Sequence, residues 1–202
     1  MSAKQIRETT PAIRWLRAVR LGLHLIRGLL AASVLFPLFR QPARNRLIQR
    51  WSAKLLAILN IRLTVQGVIP PRGAQGILFA ANHISWLDIF LLNALHPLRF
   101  VSKAEVRAWP LIGLLVVKAG TLFIERTRRH DTGRANQAIE SALRNGGHIA
   151  LFPEGTTTDG SHIRHFHASL LQPVIDADVP VQAVAIAYFG ENGETDTAPA
   201  YI

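Results

Sequence analysis

The chain contains no cysteine, which excludes a disulfide framework, a Cys-based zinc site and a cysteine nucleophile. Other signatures are missing as well. There is no G-x-S-x-G elbow for a serine hydrolase, no Gly-rich loop for nucleotide phosphates, and no HExxH helix for zinc. His162, His165 and His167 cluster with Asp159, but their spacing matches no recognised metal pattern, so no metal is expected. Internal repeats and low-complexity tracts are absent too.

Acidic residues are scarce where basic ones are dense. Residues 1–54 hold eleven Lys/Arg against one acid, Glu8, and so account for the whole formal charge of +10. Residues 55–202 are neutral overall. That asymmetry calls for an anionic partner of the first part alone, either nucleic acid or membrane phospholipid. Nucleic-acid binders rarely mix their basic residues with so much leucine, so the membrane surface is the expected partner and nucleic acid is not.

A long uninterrupted apolar run is also lacking. LGLHLIRGLLAASVLFPLF, residues 21–39, is broken by His24, Arg27 and Pro37. Its uncharged stretch, Gly28 to Phe39, falls short of the about 20 apolar residues of a comfortable span. In ARNRLIQRWSAKLLAILN, residues 43–60, Arg46, Arg50 and Lys54 line one helical face while Leu47, Trp51, Leu55 and Ile58 line another. A basic stripe beside an apolar stripe with tryptophan is how a helix lies in an anionic bilayer surface. Residues 1–60 therefore read as a helical hairpin dipping into one leaflet from the cytoplasm.

Residues 61–202 read as an α/β domain. Strands are expected at Arg62–Gln66, Ile77–Ala81, Arg99–Ser102, Thr121–Glu125, His148–Phe152 and Val181–Tyr188. Helices alternate with them near Trp86–Leu95, Leu111–Ala119, Asp131–Asn145 and Ala168–Ala177. The expectation is a mostly parallel mixed sheet flanked by helices. The polar tail from Gly190 ends without a clear final element, so the domain is expected to be incomplete at its C-terminus.

Functional residues in such sheets gather at the carboxyl ends of strands. Four places are expected there: Asn82–Asp88, Gly120–Arg126, Phe152–Thr156 and the loop before Val181. In the first, His83 and Asp88 would point about 140° apart on a continuous helix. They can meet if the chain turns. Ser85-Trp86-Leu87-Asp88 fits a capping box, with Ser85 as N-cap and Asp88 at N3, which leaves His83 just outside the helix. Asp88 would then fix the imidazole and leave its other nitrogen as a general base. Alternatively Asp88 only caps the helix. In the second place a strand delivers Arg126 beside Arg128 and Arg129, an anion site or a solvated basic loop. In the third, the turn at Glu154, Gly155 and Thr156 presents a carboxylate and several backbone N–H groups.

Together these blocks resemble the glycerolipid acyltransferase family. NHISWLD resembles its N-H-x4-D block, GTLFIER its G-x-x-F-I-x-R strand, FPEGT its third block and VPVQAVAI its fourth, all in family order between residues 82 and 186. The resemblance implies that His83 deprotonates an acceptor hydroxyl and that Asp88 orients His83. It implies acceptor binding by Asn82, Ser85, Gly120, Phe123, Arg126, Glu154, Gly155 and Thr156, with Pro180 shaping the acyl side. It further implies a lysolipid acceptor, acyl-ACP or acyl-CoA as co-substrate, no other cofactor, and a place on the cytoplasmic face of the inner membrane. Lysophosphatidate is the expected acceptor. Two features look closer to the branch acting on lyso-ornithine lipid: TTTDG, and Phe166-His167-Ala168-Ser169-Leu170 where many members have F-K-x-G.

Overall fold

The apolar segments after residue 76 assemble into one sheet. The strands β1 (Ile77–Ala81), β2 (Arg99–Lys103), β3 (Leu122–Ile124), β4 (His148–Leu151) and β5 (Val181–Val184) lie in the order β3-β2-β4-β1-β5. The computed structural model describes residues 10–71, 75–124 and 129–201, with backbone alone at 129–132 and 201. Every pairing between these strands is parallel. The antiparallel bridge between Phe189 and Thr195 is isolated and lies outside these strands. β1, ILFAA, is buried along its whole length, as a parallel strand covered on both faces must be.

The N-terminal segment forms the expected hairpin. Helix α1 (Pro11–Leu30) continues through a π-helical segment (Ala31–Leu35) and a 3-10 turn (Phe36–Leu38), and α2 (Gln41–Ile58) returns along it. His24 and Trp51 lock the pair. Their rings stack 4.7 Å apart. His24 Nε2 bonds the Trp51 carbonyl at 3.0 Å, and Trp51 Nε1 donates to the His24 carbonyl at 3.1 Å. A Cβ at Gly28 would come within 2.5 Å of the indole nitrogen, so the stack requires glycine there.

Three further helices cover the two faces of the sheet, α3 (Leu87–Leu95), α5 (Arg129–Arg144) and α6 (Gln172–Ala177), while α4 (Ile112–Lys118) packs on the 3-10 segment Ala104–Ala108 and on the N-terminal hairpin. Leu78, Ile149 and Leu151 pack with Ile139 and Leu143 of α5 and Val174 of α6. Phe79, Phe100 and Ala150 pack with Leu92 of α3. Because all strands run the same way, their carboxyl ends form a single edge, and that edge holds the site.

Four expectations need correction. The apolar stripe of α2 does not face lipid: Leu55 and Leu56 are buried with Leu87 and Leu91 of α3, because α2 covers that helix. Of the two hairpin helices, α1 is the one that leaves an apolar face open, including Trp15, Leu16, Leu23, Ile26 and Leu30. Arg62–Gln66 forms no strand, since Ile61 and Leu63 pack on the α2–α3 cluster instead of on a sheet edge. β5 stops at Val184, and the helix expected at Ala168–Ala177 is a 3-10 turn (Ala168–Leu170) followed by α6.

Candidate active site

The chain turns sharply between β1 and α3, and Asp88 is the post around which it turns. Asp88 is completely buried. Its Oδ2 accepts the N–H groups of Ile84 at 2.7 Å and Ser85 at 2.9 Å, and bonds His83 Nδ1 at 2.8 Å. The bond from Asp88 back to the Ser85 N–H is one half of a capping box. The other half is displaced: α3 begins at Leu87 with Trp86 as N-cap, and Ser85 Oγ only receives the Leu87 N–H at 3.4 Å. The turn thus closes the 140° gap between His83 and Asp88.

A carboxylate offers only acceptors, so this bond places the proton on Nδ1 and leaves the Nε2 lone pair of the neutral ring for chemistry. Phe152 holds the ring from one side, stacked at 3.9 Å and 9°. The backbone of His83 is clamped as well. Its N–H donates to Glu154 Oε1 at 2.8 Å and its carbonyl receives the Thr158 N–H at 2.8 Å. Both contacts come from the loop after β4. Gly160 lets that loop approach, since a Cβ there would meet Ile84 Cδ1 at 2.8 Å and its φ is +81°.

Glu154 is buried, and its second oxygen accepts the Arg164 N–H at 2.9 Å. It therefore cross-links the His83 turn to the loop around Arg164. Beside it opens a cleft of about 380 Å³ lined by Lys103, Glu154, Gly155, Thr156, Arg164, His165 and His167. Two cations and two imidazoles make this a place for an anionic group. The turn itself is held by the Gly155 N–H to the Phe152 carbonyl at 3.0 Å, with Gly155 at φ +70°.

Other expected residues lie elsewhere. Asn82 is buried, and its amide makes a two-point bond to Ile186, at 2.9 Å to the carbonyl and 2.7 Å from the N–H. It imitates a peptide group and extends the β1–β5 ladder past β5's end. Gly120 precedes β3, and its carbonyl receives Arg99 Nε at 2.8 Å, which places it at the amino edge of the sheet. Pro180 sits at the amino edge too, where its carbonyl accepts the Leu78 N–H at 3.1 Å. The loop before Val181 is thus on the edge opposite His83, because β5 starts there instead of ending there. Phe123 lies half-buried within β3, level with Ser102. Arg126 falls outside the described residues, as does Arg128. Among the described residues no three His, Asp or Glu side chains converge as metal ligands.

Sequence reasoning missed Lys103, Arg164 and Tyr188. Lys103 ends β2 at the carboxyl edge, a position that could have drawn notice. Tyr188 donates its hydroxyl to Asp88 Oδ1 at 2.6 Å across a hundred residues, and no local signal announces it.

Known proteins share both sequence and fold with this chain. Over 158 residues the chain is 48% identical to a lyso-ornithine lipid O-acyltransferase of Pseudomonas aeruginosa, covering 78% of this chain and 60% of that protein. It is 40% identical over 159 residues to a 1-acyl-sn-glycerol-3-phosphate acyltransferase of Neisseria meningitidis, covering 79% of this chain and 62% of that one. The chain thus spans about three fifths of the length of these curated relatives. The crystal structure of the 1-acyl-sn-glycerophosphate acyltransferase PlsC from Thermotoga maritima shares the fold, with a TM-score of 0.59 at 23% identity over 82% of this chain and 73% of that one. The Acyltransferase family matches residues 61–187, more than half of the chain and the whole of the sheet, and the chain belongs to that family.

Proposed function

We propose that this chain is the working part of a membrane-associated O-acyltransferase that moves a fatty acyl group from acyl-ACP or acyl-CoA to the hydroxyl of a lysolipid. The observation that carries the reading is the His83–Asp88 bond of 2.8 Å beside a cationic cleft. In this scheme His83 Nε2 takes the proton of the acceptor hydroxyl as that oxygen attacks the thioester carbonyl. The carbon–sulfur bond then breaks, and the imidazolium returns the proton to the departing thiolate. Buried Asp88 holds the ring and stabilises the imidazolium between the two steps.

Lys103 and Arg164 would receive the acceptor's anionic group. Lysophosphatidate supplies a phosphate, and the Neisseria relative's name supports it. The TTTDG turn and the Pseudomonas relative's name favour lyso-ornithine lipid, whose carboxylate would meet the same cations. The membrane is reached through α1. Pro11–Leu38 is a 28-residue helical stretch with a mean hydropathy of 1.7 in its most apolar window, long and apolar enough to cross a bilayer. Next to it, Trp109, Leu111, Ile112 and Leu114 are also exposed, and Leu111 is held at a left-handed φ of +59°. Together they support a lipid-facing surface, which we assign to the cytoplasmic face of the inner membrane.

The test is acyl transfer by membrane fractions containing wild type or His83→Ala, offered each lysolipid, with products read by mass spectrometry. A diacyl product that vanishes in the variant supports the reading and names the acceptor. Free fatty acid without diacyl lipid would make the protein a hydrolase, and no turnover at all would leave a membrane-binding role.

A further inference from the structure

We infer that Tyr188 is a positioning residue of the acyl-transfer site, acting through Asp88 to set how strongly His83 holds its proton. The inference rests on the proposed role of the His83–Asp88 pair and extends it by one member. Tyr188 lies one residue beyond the segment matched to the family, so that match assigns it nothing.

Asp88 divides its two oxygens between different tasks. Oδ2 faces His83 and the two backbone N–H groups of the turn. Oδ1 faces only Tyr188 among the bonds described, at 2.6 Å, in a fully buried setting. A short O–H···O⁻ bond of this kind belongs to the stronger class, and burial raises its weight further. Burial first, and then the Asp88 charge, push the Tyr188 hydroxyl well above its ordinary value, so it stays a donor at any working pH.

The ring of Tyr188 is itself fixed. It packs among Leu55 and Leu56 of α2 and Ile84, Leu87 and Leu91 around α3. Its carbonyl receives the Asp196 N–H at 2.9 Å. A hydroxyl on so rigid a ring can do two things for Asp88. It supplies the carboxylate with a partner on the side away from His83, so Oδ2 does not swing. It also draws negative charge toward Oδ1, which moderates the pull of Asp88 on the His83 proton. A base in this reaction must accept a proton and then release it to the leaving thiolate, so an imidazolium held too firmly slows the second step.

The experiment is Tyr188→Phe in the full chain, which removes one oxygen and keeps the ring. Two readouts are taken: the pH profile of lysolipid acylation, and the pH titration of the His83 imidazole by 15N NMR. Loss of the hydroxyl leaves Asp88 more basic, so the acid limb of kcat/KM and the His83 titration both move to higher pH. The expected fall in kcat is about tenfold, with KM for the acceptor within about twofold. Incorporation of 3-fluorotyrosine in a Tyr201→Phe background keeps the shape and strengthens the donor, so the same two curves move to lower pH. This second protein decides the matter if the phenylalanine variant does not fold. An unchanged His83 titration in either protein overturns the inference. Because that titration needs no turnover, its outcome is separate from whether the chain acylates a lysolipid at all.

Discussion

Glu154 reaches from the loop after β4 to the backbone of His83, accepting its N–H at 2.8 Å. The same carboxylate holds the Arg164 N–H at 2.9 Å, so one buried side chain ties the His83 turn to the wall of the cationic cleft. The acid expected to touch the headgroup has both oxygens occupied by main-chain donors.

Replacing Glu154 by Gln sets an amide NH2 against one of those N–H donors. The buried bond lost should cost about 1–3 kcal/mol of stability, and turnover should fall because His83 loses an anchor. Chemical denaturation alongside the acylation assay checks both, and a fully stable, fully active variant would refute the tie.

Asp88→Asn keeps an acceptor for the three donors on Oδ2 but removes the charge that stabilises the imidazolium. We expect kcat to drop by roughly 10²- to 10⁴-fold while circular dichroism stays as in wild type. Turnover close to wild type would show that Asp88 merely caps the turn.

Lys103→Ala and Arg164→Ala should each raise KM for an anionic lysolipid about tenfold and leave KM for the thioester donor alone. Added salt should weaken acceptor binding in wild type more than in either variant. Equal effects on donor and acceptor would move the headgroup elsewhere.

On the membrane side, Leu23→Asp with Leu30→Asp should release the chain from lipid vesicles in flotation assays, since both side chains are exposed on α1. The equivalent change at Leu55 should unfold the protein instead, because that residue is completely buried between α2 and α3. Release by the Leu55 change alone, without unfolding, would mean that α2 is the lipid-facing helix.

His148, at the start of β4, has its affinity for a proton lowered by burial. The unfolded chain therefore binds that proton more readily than the folded one, and stability is lost as pH falls below the ordinary histidine range, about 6.5. Thermal melting between pH 7.5 and 5.5 should show a falling midpoint, and His148→Gln should flatten the slope.

Much of this was legible along the chain because it is local. Continuous apolar runs such as ILFAA specify buried parallel strands, and the capping-type spacing of Ser85 and Asp88 signals a turn that can bring His83 to its acid. Four short blocks in order were enough to indicate the family. The basic, leucine-rich start announced a hairpin, yet not which helix would keep its apolar side open. That choice depended on α3 offering a surface that α2 could cover, a contact between segments thirty residues apart. Likewise a proline before a strand reads the same at either edge of a sheet, and only strand direction put Pro180 opposite His83. Residue type and spacing pointed to the His83–Asp88 pair, the basic helices and the five strands of the sheet, and also to a strand at Arg62–Gln66 that does not form. Long-range packing decided what surrounds them: Glu154 became a backbone clamp, and Tyr188 reached Asp88 across a hundred residues. A buried carboxylate must find donors wherever the fold brings them, and the sequence carries no local sign of which ones it will meet.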